Sequence, residues 1–298
     1  MKAILICPGE RRAVPALSRP APLSNVVILG KPLVQYWLEH LASRGAREVY
    51  VLANDRPESV GALVGSGARW GLELKVCPEL RELSAKEALT EYQHGEGWLP
   101  APDLVNAMLH LPGFPEQPLF ESYLDFVAAH EAILPRVAGP DRIGLRQVQP
   151  GVWLGLRARV SRRARLHAPC WIGDQAFIAR QAVIGPLAFV EARSVVEANA
   201  EVISSIVGPD TLVGEYAALR NSIAWGSTLV NWQLNSCTEV TDSFLISSLA
   251  KSPAAHFPGW ISGGLDALSH SLLEFPRSPG WDARKETSRW KFSRKTEP

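Results

Sequence analysis

Two adjacent arginines follow a short apolar segment and a Pro-Gly pair near the start of the chain. Residues Ala3–Ile6 predict a buried first strand, and Pro8-Gly9 predicts a loop directly after it. Backbone N–H groups of a glycine-containing loop and arginine side chains both bind phosphate oxygens. Arg11 and Arg12 beside the Gly9 backbone therefore predict an anion site, with a solvated arginine pair as the open alternative.

The elements after this loop alternate between strands and helices. Helical spacing of apolar residues and a Ser84/Glu87 capping box predict three helices, over residues 33–42, from 84 to about 93, and over 123–134. Strands are predicted over residues 48–52, 72–76 and 143–148, and residues 98–118 read as a loop with one short helix. Strand, helix and strand in succession close as a parallel crossover, so the first half is predicted to be an α/β domain.

A second pattern begins at Leu154, where eight hexapeptides follow one another without a gap. Each opens on an aliphatic residue and carries a small residue four places later. The openers are Leu154, Val160, Leu166, Ile172, Ile178, Ile184, Val190 and Val196, and the small residues are Ala158, Ala164, Cys170, Ala176, Ala182, Ala188, Ser194 and Ala200. A period of six fits a triangular parallel solenoid with the aliphatic residues inside. The phase slips after Val202, and Gly208-Pro209-Asp210 is predicted to bulge there.

Charged and aromatic residues lie on this repeat at regular positions. Five arginines cluster at its start, and residues six apart are expected to stack in pairs along a prism edge, as solvated edges or as a site for an acidic partner or anion. They are Arg157, Arg159, Arg162, Arg163 and Arg165. Outward-facing Trp171, Phe177 or Phe189 would support self-association, so a homo-oligomer is expected.

Composition limits the classes of function. The chain has 298 residues, 46% hydrophobic and 20% charged, which suits two soluble domains. A net charge of +1 gives no pull toward nucleic acid or an anionic membrane. No apolar run is long enough to span a membrane, the start lacks a secretory signal, and a cytoplasmic location is expected. Four scattered cysteines favour neither a zinc site nor a disulfide framework.

The last part of the chain leaves the repeat. Leu265, Leu268, Leu272 and Leu273 predict a short helix capping the solenoid, followed by a basic, aromatic tail over residues 281–298. The predicted domains are therefore an α/β domain over residues 1–148, a parallel solenoid over 149–250, and a helical cap and tail over 251–298.

Several motifs carry a resemblance to a known family. Arg12 with Pro15, Pro20-Ala21-Pro22-Leu23 and Gly30-Lys31-Pro32-Leu33 follow the first strand in the order found in sugar-1-phosphate nucleotidyltransferases. Residues 243–249 resemble the closing segment of members with a β-helical tail. The resemblance implies a short Rossmann-like nucleotidyltransferase-type domain before a left-handed β-helix.

The resemblance also implies site residues and a cofactor. Arg12 falls on the catalytic arginine position, and the substrate-binding candidates are Pro8, Gly9, Glu10, Arg11 and Asn54. Magnesium held by aspartates would accompany an active enzyme, with a nucleotide or nucleotide-sugar as ligand. The metal-binding residues of this chain cannot be assigned.

The chain departs from the family pattern where the chemistry is concentrated. Pro8 and Glu10 stand at glycine positions, Ala21 replaces a lysine, and no strand ends in Gly-Asp. Three functions follow: a nucleotidyltransferase-like protein of nucleotide-sugar or surface-polysaccharide metabolism, with catalysis either retained or impaired; a non-catalytic nucleotide-sugar-binding or assembly protein; and a hexapeptide acyltransferase with His167 as general base.

Overall fold

A four-stranded parallel sheet organises the first part of the chain. The computed structural model describes residues 1–139 and 142–250, and the predicted cap helix and basic tail lie outside them. The sheet has the order β5-β4-β1-β6. Elements of this part are β1 (Lys2–Ile6), α1 (Pro15–Ser18), β2 (Val27–Ile28), β3 (Lys31–Pro32), α2 (Leu33–Ser43), β4 (Glu48–Ala53), α3 (Pro57–Val64), β5 (Glu73–Pro78), α4 (Ala85–Tyr92), β6 (Val105–Ala107) and α5 (Tyr123–Ile133). Single 3₁₀ turns span Leu23–Asn25, Ala68–Trp70 and Leu134–Arg136.

The predicted strands and helices of this part are confirmed to within a few residues. β1 pairs with β4 in parallel along its whole length, and all but its first residue are buried. The capping box of α4 is present, because the Ser84 hydroxyl accepts from the Glu87 N–H and the Glu87 carboxylate accepts from the Ser84 N–H. These elements could be predicted because their local periodicity and helix caps agree with the tertiary structure.

Five elements of this part were not predicted, namely the short α1, β2 and β3, and also α3 and β6. Residues 98–118 contain β6 and, in their described structure, no helix, so the predicted short helix is wrong. β6 is only three residues long and forms because β1 offers it a free edge, a cause that has no local sequence signal. α3 does carry a signal: Pro57 stands at its first turn, and Val60 and Val64 are buried one turn apart.

Beyond Arg142 the chain becomes a stack of short strands with three faces. The strands are β7 (Arg146–Gln149), β8 (Val152–Leu154), β9 (Arg159–Val160), β10 (Arg165–Leu166), β11 (Cys170–Ile172), β12 (Phe177–Ile178), β13 (Val183–Ile184), β14 (Ala188–Val190), β15 (Val195–Val196), β16 (Glu201–Ile203), β17 (Ser205–Val207), β18 (Thr211–Val213), β19 (Ala218–Arg220), β20 (Ser222–Trp225), β21 (Thr228–Asn231), β22 (Ser236–Glu239) and β23 (Ile246–Ser248). Successive strands enter three different ladders in rotation, β8-β11-β14-β17-β20, β9-β12-β15-β18 and β10-β13-β16-β19.

The aliphatic openers of the hexapeptides fill the inside of this stack. Ile172 pairs in parallel with Val190, eighteen residues later, and the equivalent steps on the other ladders are Ile178 to Val196 and Ile184 to Val202. All six side chains are completely buried, and the small residues lie in the same apolar cluster. The predicted burial at every sixth position is confirmed for Leu154 and from Ile172 to Val202, whereas Val160 and Leu166 in the first coil are half-buried against the same cluster.

The one-residue phase slip predicted after Val202 is confirmed, and it lies at the corner before Ser205. Ser205 pairs with Ala188, seventeen residues earlier, because the corner at Ser204 is one residue shorter than the corner below it. Asp210 instead occupies a regular corner, with its N–H bonded to the Ala192 carbonyl at 3.1 Å and the same positive φ as Arg193. The predicted bulge at residues 208–210 is therefore wrong.

The stack is closed by hairpins rather than by further parallel coils. β7 turns back against β8, so the predicted strand 143–148 is present but begins at Arg146. At the opposite end β20, β21 and β22 form an antiparallel meander, and β23 pairs with β18.

One face of the stack shares its core with the α/β part. Trp171, Phe189, Ile206, Ile223 and Val230 belong to the same buried cluster as the side chains of α2 and α5. The exposed fractions of Trp171 and Phe189 are 2% and 0%. The expectation that these two side chains are available for self-association is therefore wrong, because the chain covers them itself; Phe177 is half-buried.

Candidate functional site

Three loops meet at the carboxyl edge of the parallel sheet. They follow β1, β4 and β5, and they contribute Gly9, Asn54 and Glu82. The chain moves outward from β1 to β4 and β5 and then returns to place β6 on the other side of β1. In open parallel sheets, ligands bind at the carboxyl edge where the strand order reverses. The loop after β1 lies at this switch point.

The Gly9 loop holds a carboxylate of its own chain. The Gly9 N–H donates to Glu82 Oε2 at 2.9 Å, and Arg11 donates through both terminal nitrogens, at 2.7 Å each, to the two Glu82 oxygens. Arg11 also donates to the Gly9 carbonyl at 3.2 Å, which fixes the guanidinium against the loop. Burial works to raise the pKa of Glu82, but the hydrogen bonds from Arg11 and Gly9 hold it below its ordinary value. Glu82 is therefore ionised, and Gly9 and Arg11 together hold its carboxylate.

Asn54 completes the inner side of this site. Its Oδ1 is buried and has no hydrogen-bond partner among the described residues. A Cβ on Gly9 would lie 2.8 Å from Asn54 Nδ2, so the close approach of the two loops requires glycine. The unpartnered amide oxygen leaves a hydrogen-bonding position beside the carboxylate.

The other predicted site residues lie around this centre. Pro8 is buried next to Gly9, whereas Glu10 and Arg12 are exposed on the outer part of the loop. The Arg12 side chain makes no hydrogen bond or ion pair within residues 1–139 and 142–250, so it can turn toward a ligand without breaking a contact. Glu82 was missed, because its contact with Arg11 joins residues 71 positions apart and the local sequence gives no sign of it.

The described residues do not present a preformed magnesium site at this edge. β6, beside β1, runs into Met108 and Leu109, whose side chains offer no oxygen ligand. Asp55 and Glu82 are both bound to arginines. Over the described ranges no group of three His, Cys, Asp or Glu residues is close enough to hold a metal. The residues thus do not fit the metal that the resemblance implies, and no step is derived through it.

A second polar cluster joins the α/β part to the stack. The N–H of Gly30, part of the third resembling motif, donates to Glu191 Oε2 at 2.7 Å. Glu191 Oε1 lies 3.9 Å from His130 Nε2, and both side chains are fully buried. Arg142 donates to the Leu29 carbonyl and, at 2.5 Å, to the Tyr36 hydroxyl. In this chain the motif therefore helps to hold the α/β part against the stack, and we call this polar cluster the joint.

Burial shifts both titratable groups of this joint. It raises the pKa of Glu191 to about 7, against the opposing effects of the Gly30 N–H and Arg142. It lowers the pKa of His130 to about 4, although the bond to the Phe126 carbonyl opposes this. Since His130 Nδ1 lies 2.8 Å from that carbonyl, Nδ1 carries the proton of the neutral ring and Nε2 faces Glu191 as an acceptor.

The residues singled out on the repeat remain at the surface. His167 is exposed and its ring has no hydrogen-bond partner in the described part of the chain, so no group there orients it as a base. The five arginines of the first coil are also exposed, and their side chains form no ion pair within those ranges. The predicted stacking of arginines six apart is wrong, because neighbours along an edge are eighteen residues apart: Arg159 pairs with Phe177 and Arg165 with Val183.

Two of the cysteines lie in the protein interior. Cys7 and Cys170 are buried, and burial raises the pKa of each thiol to about 12. Such thiols are poor nucleophiles.

In the described ranges, no helix combines the length and the apolar character needed to cross a bilayer.

The fold and this loop define a class, an α/β protein with a glycine-containing loop that holds a carboxylate at the switch point of its sheet, attached to a repeat stack. No protein-family profile matches the chain. Over 89 residues, 30% of this chain and 25% of the relative, it is 27% identical to a glucose-1-phosphate thymidylyltransferase of Streptomyces antibioticus. Over 83 residues it is 26% identical to the glucose-1-phosphate thymidylyltransferase of Streptomyces griseus, covering 28% and 23% of the two chains.

These similarities support a relationship to the sugar-1-phosphate nucleotidyltransferases at the level of the family. The matched segments span about a quarter of the length of these relatives.

Proposed function

We propose that this chain is a sugar-1-phosphate nucleotidyltransferase-like protein that binds a nucleotide or nucleotide-sugar at the carboxyl edge of its sheet. The α/β domain of residues 1–148 would supply the site, and residues 149–250 would form a left-handed β-helix of the hexapeptide type. A cytoplasmic location and a role in nucleotide-sugar or surface-polysaccharide metabolism belong to the same proposal.

The observation that most supports this proposal is that Gly9 and Arg11 both donate hydrogen bonds to one carboxylate, that of Glu82. A backbone N–H and a two-pronged guanidinium directed at the same pair of oxygens also match two oxygens of a phosphate. This arrangement lies at the place in the sheet where ligands of parallel α/β proteins bind. The similarity to thymidylyltransferases supports nucleotide phosphates as the anion.

Arg12 is the proposed catalytic residue. It is exposed beside the anion site, and a guanidinium there would stabilise the charge that develops on a departing pyrophosphate. Pro8, Glu10 and Asn54 would line the ligand, with the free Oδ1 of Asn54 as a hydrogen-bond acceptor for a base or sugar hydroxyl.

The second candidate is a non-catalytic binding or assembly protein. It is favoured by the end of β6, which runs into Met108 and Leu109, side chains that offer no oxygen ligand to a metal. It is also favoured by Glu82, which neutralises Arg11 inside the anion site.

Calorimetric titration with nucleoside triphosphates and nucleotide-sugars, together with a pyrophosphate-release assay, tests both candidates. Binding with turnover supports the enzyme, and turnover should then fall at least tenfold in Arg12→Ala while affinity changes less. Binding without turnover supports the second candidate. Absence of binding to every member of the panel contradicts both.

Self-association is a separate part of the proposal. One face of the stack is covered by the α/β part, so a homo-oligomer would form through the faces that carry Phe177 and its neighbours. Light scattering coupled to size-exclusion chromatography tests this: a mass near 33 kDa at every concentration would contradict it.

A further inference from the structure

Glu82 occupies the position of a ligand. Both of its oxygens are bound by groups of the loop after β1, and these are the groups that an incoming phosphate would use. The side chain reaches them from the segment between β5 and α4. We propose that Glu82 is a built-in competitor that fills the oxyanion position of the Gly9 loop, so that a phosphate-bearing ligand binds by displacing it.

The geometry explains why two anions cannot share the site. The Gly9 N–H has one hydrogen to donate, and both terminal nitrogens of Arg11 are directed at Glu82. A phosphate placed on the same donors would lie against an ionised carboxylate, and like charges at that distance repel strongly in a partly buried site. Ligand binding therefore requires Glu82 to leave.

The side chain of Glu82 can leave the loop while its backbone stays in place. Leu80 is completely exposed and has no core to hold it. Arg81 bonds to Glu87, in the first turn of α4. The backbone on either side of Glu82 is anchored, because the Glu79 N–H donates to the Ala53 carbonyl at 2.9 Å and Leu83 is buried. The bonds to Gly9 and Arg11 therefore hold the Glu82 side chain to the loop. Their loss would release that side chain without unpacking the core.

The inference rests on the proposed function, since both use the Gly9 loop. It adds a regulatory property: the free protein is self-occupied, and its apparent affinity for phosphates is the intrinsic affinity multiplied by the fraction of molecules in which Glu82 is released. Salt or acid that weakens the Arg11–Glu82 pair would open the site.

The test is calorimetric titration with inorganic pyrophosphate, which carries no base or sugar. Glu82→Gln keeps the shape of the side chain but removes its charge, and should bind pyrophosphate at least tenfold more tightly than the wild type. Glu91→Gln is the matched control, because it removes one charge at an exposed residue of α4 that contacts neither Gly9 nor Arg11 in the described structure. Equal gains in the two variants would overturn the inference.

Two further variants cover other outcomes. Glu82→Asp keeps the charge but shortens the reach, so an intermediate gain is expected, and it replaces Glu82→Gln if that variant does not fold. Adding Arg11→Met to Glu82→Gln should abolish the gain. A Glu82→Gln protein that is folded, less stable and no tighter for pyrophosphate would show that Glu82 is only a brace.

The failure of the two proposals can be told apart. If Glu82→Gln gains affinity for pyrophosphate but no nucleotide or nucleotide-sugar binds, this inference stands and the proposed function fails. If nucleotides bind equally to the wild type and to Glu82→Gln, the proposed function stands and the competitor role fails.

Discussion

Glu191 and His130 show at the residue scale how burial can hide a pH dependence. The carboxyl of Glu191 has a pKa of about 7 in the folded protein, so it keeps its proton in a range where the unfolded chain has lost it. Its contribution to stability is full below about pH 4.5 and is lost as pH rises to about 7. His130, with a pKa of about 4, contributes fully above about pH 6.5, and this is lost as pH falls to about 4. Between about pH 4.5 and 6.5 the two slopes oppose each other.

Replacing one member of this pair should reveal how the titration of the other member changes the unfolding free energy with pH. Glu191→Gln removes the contribution to stability that is lost as pH rises. The free energy of unfolding should then rise with pH by about 2 to 3 kcal/mol between about pH 4.5 and 6.5, because only the His130 contribution remains. Urea denaturation at several pH values measures it. The exposed Glu121 gives the control Glu121→Gln, whose profile should follow the wild type. A Glu191→Gln profile parallel to the wild type would contradict the assignment.

Residue-scale prediction from sequence reached only part of the candidate site. Gly9 and Arg11 were predicted because their chemistry is local: a loop after a strand and a charged side chain beside it. Glu82 and Glu191 were not, because each acts through a partner far away in the chain, 71 residues from Arg11 and 161 residues from Gly30. Such pairings are set by the topology, which a single sequence does not reveal.

At the scale of elements, the repeat stack follows from its sequence because one rule holds at every step. The side chain that opens each hexapeptide points inward, and its neighbour on the same strand points outward. In β12, Ile178 is completely buried, while Phe177 is half-buried on the outer surface. The sheet part was harder to predict, since β6 depends on a neighbouring strand.

The two residues of β12 give a matched test of this alternation. Ile178→Ala should cost about 2 to 5 kcal/mol of unfolding free energy, because it leaves a cavity inside the stack. Phe177→Ala removes a larger side chain but should cost less, about 1 kcal/mol, because the ring is partly in water. Chemical denaturation measures both. A larger loss for Phe177→Ala would mean that the inside and outside of the stack are assigned the wrong way round.

At the scale of the whole molecule, residues 1–250 form one compact unit. Phe189 belongs to the core that the sheet and the stack share, and its ring centre lies 5.3 Å from that of His130 on α5. The sequence indicated two domains but not that a face of the second would be buried by the first, because outward-facing aromatic residues look the same whether the chain or another subunit covers them.

A shared core predicts that damage on one side reaches the other. Phe189→Ala should lower the stability by about 3 to 5 kcal/mol. Amide hydrogen exchange should show the same loss of protection in α5 as in β15, which lies on another face of the stack. Tyr216→Ala, at an exposed corner, should leave both unchanged. A loss confined to the stack would mean that the two parts unfold independently.

The short corner at Ser204 indicates where this architecture can tolerate changes in chain length. One residue fewer there leaves Val207 opposite Val190, so the aliphatic residues of the next coil return to the same alignment. A deletion within a strand would instead turn buried side chains toward water. Insertions and deletions during divergence should therefore accumulate at the corners, where new surface loops could be added without disturbing the interior.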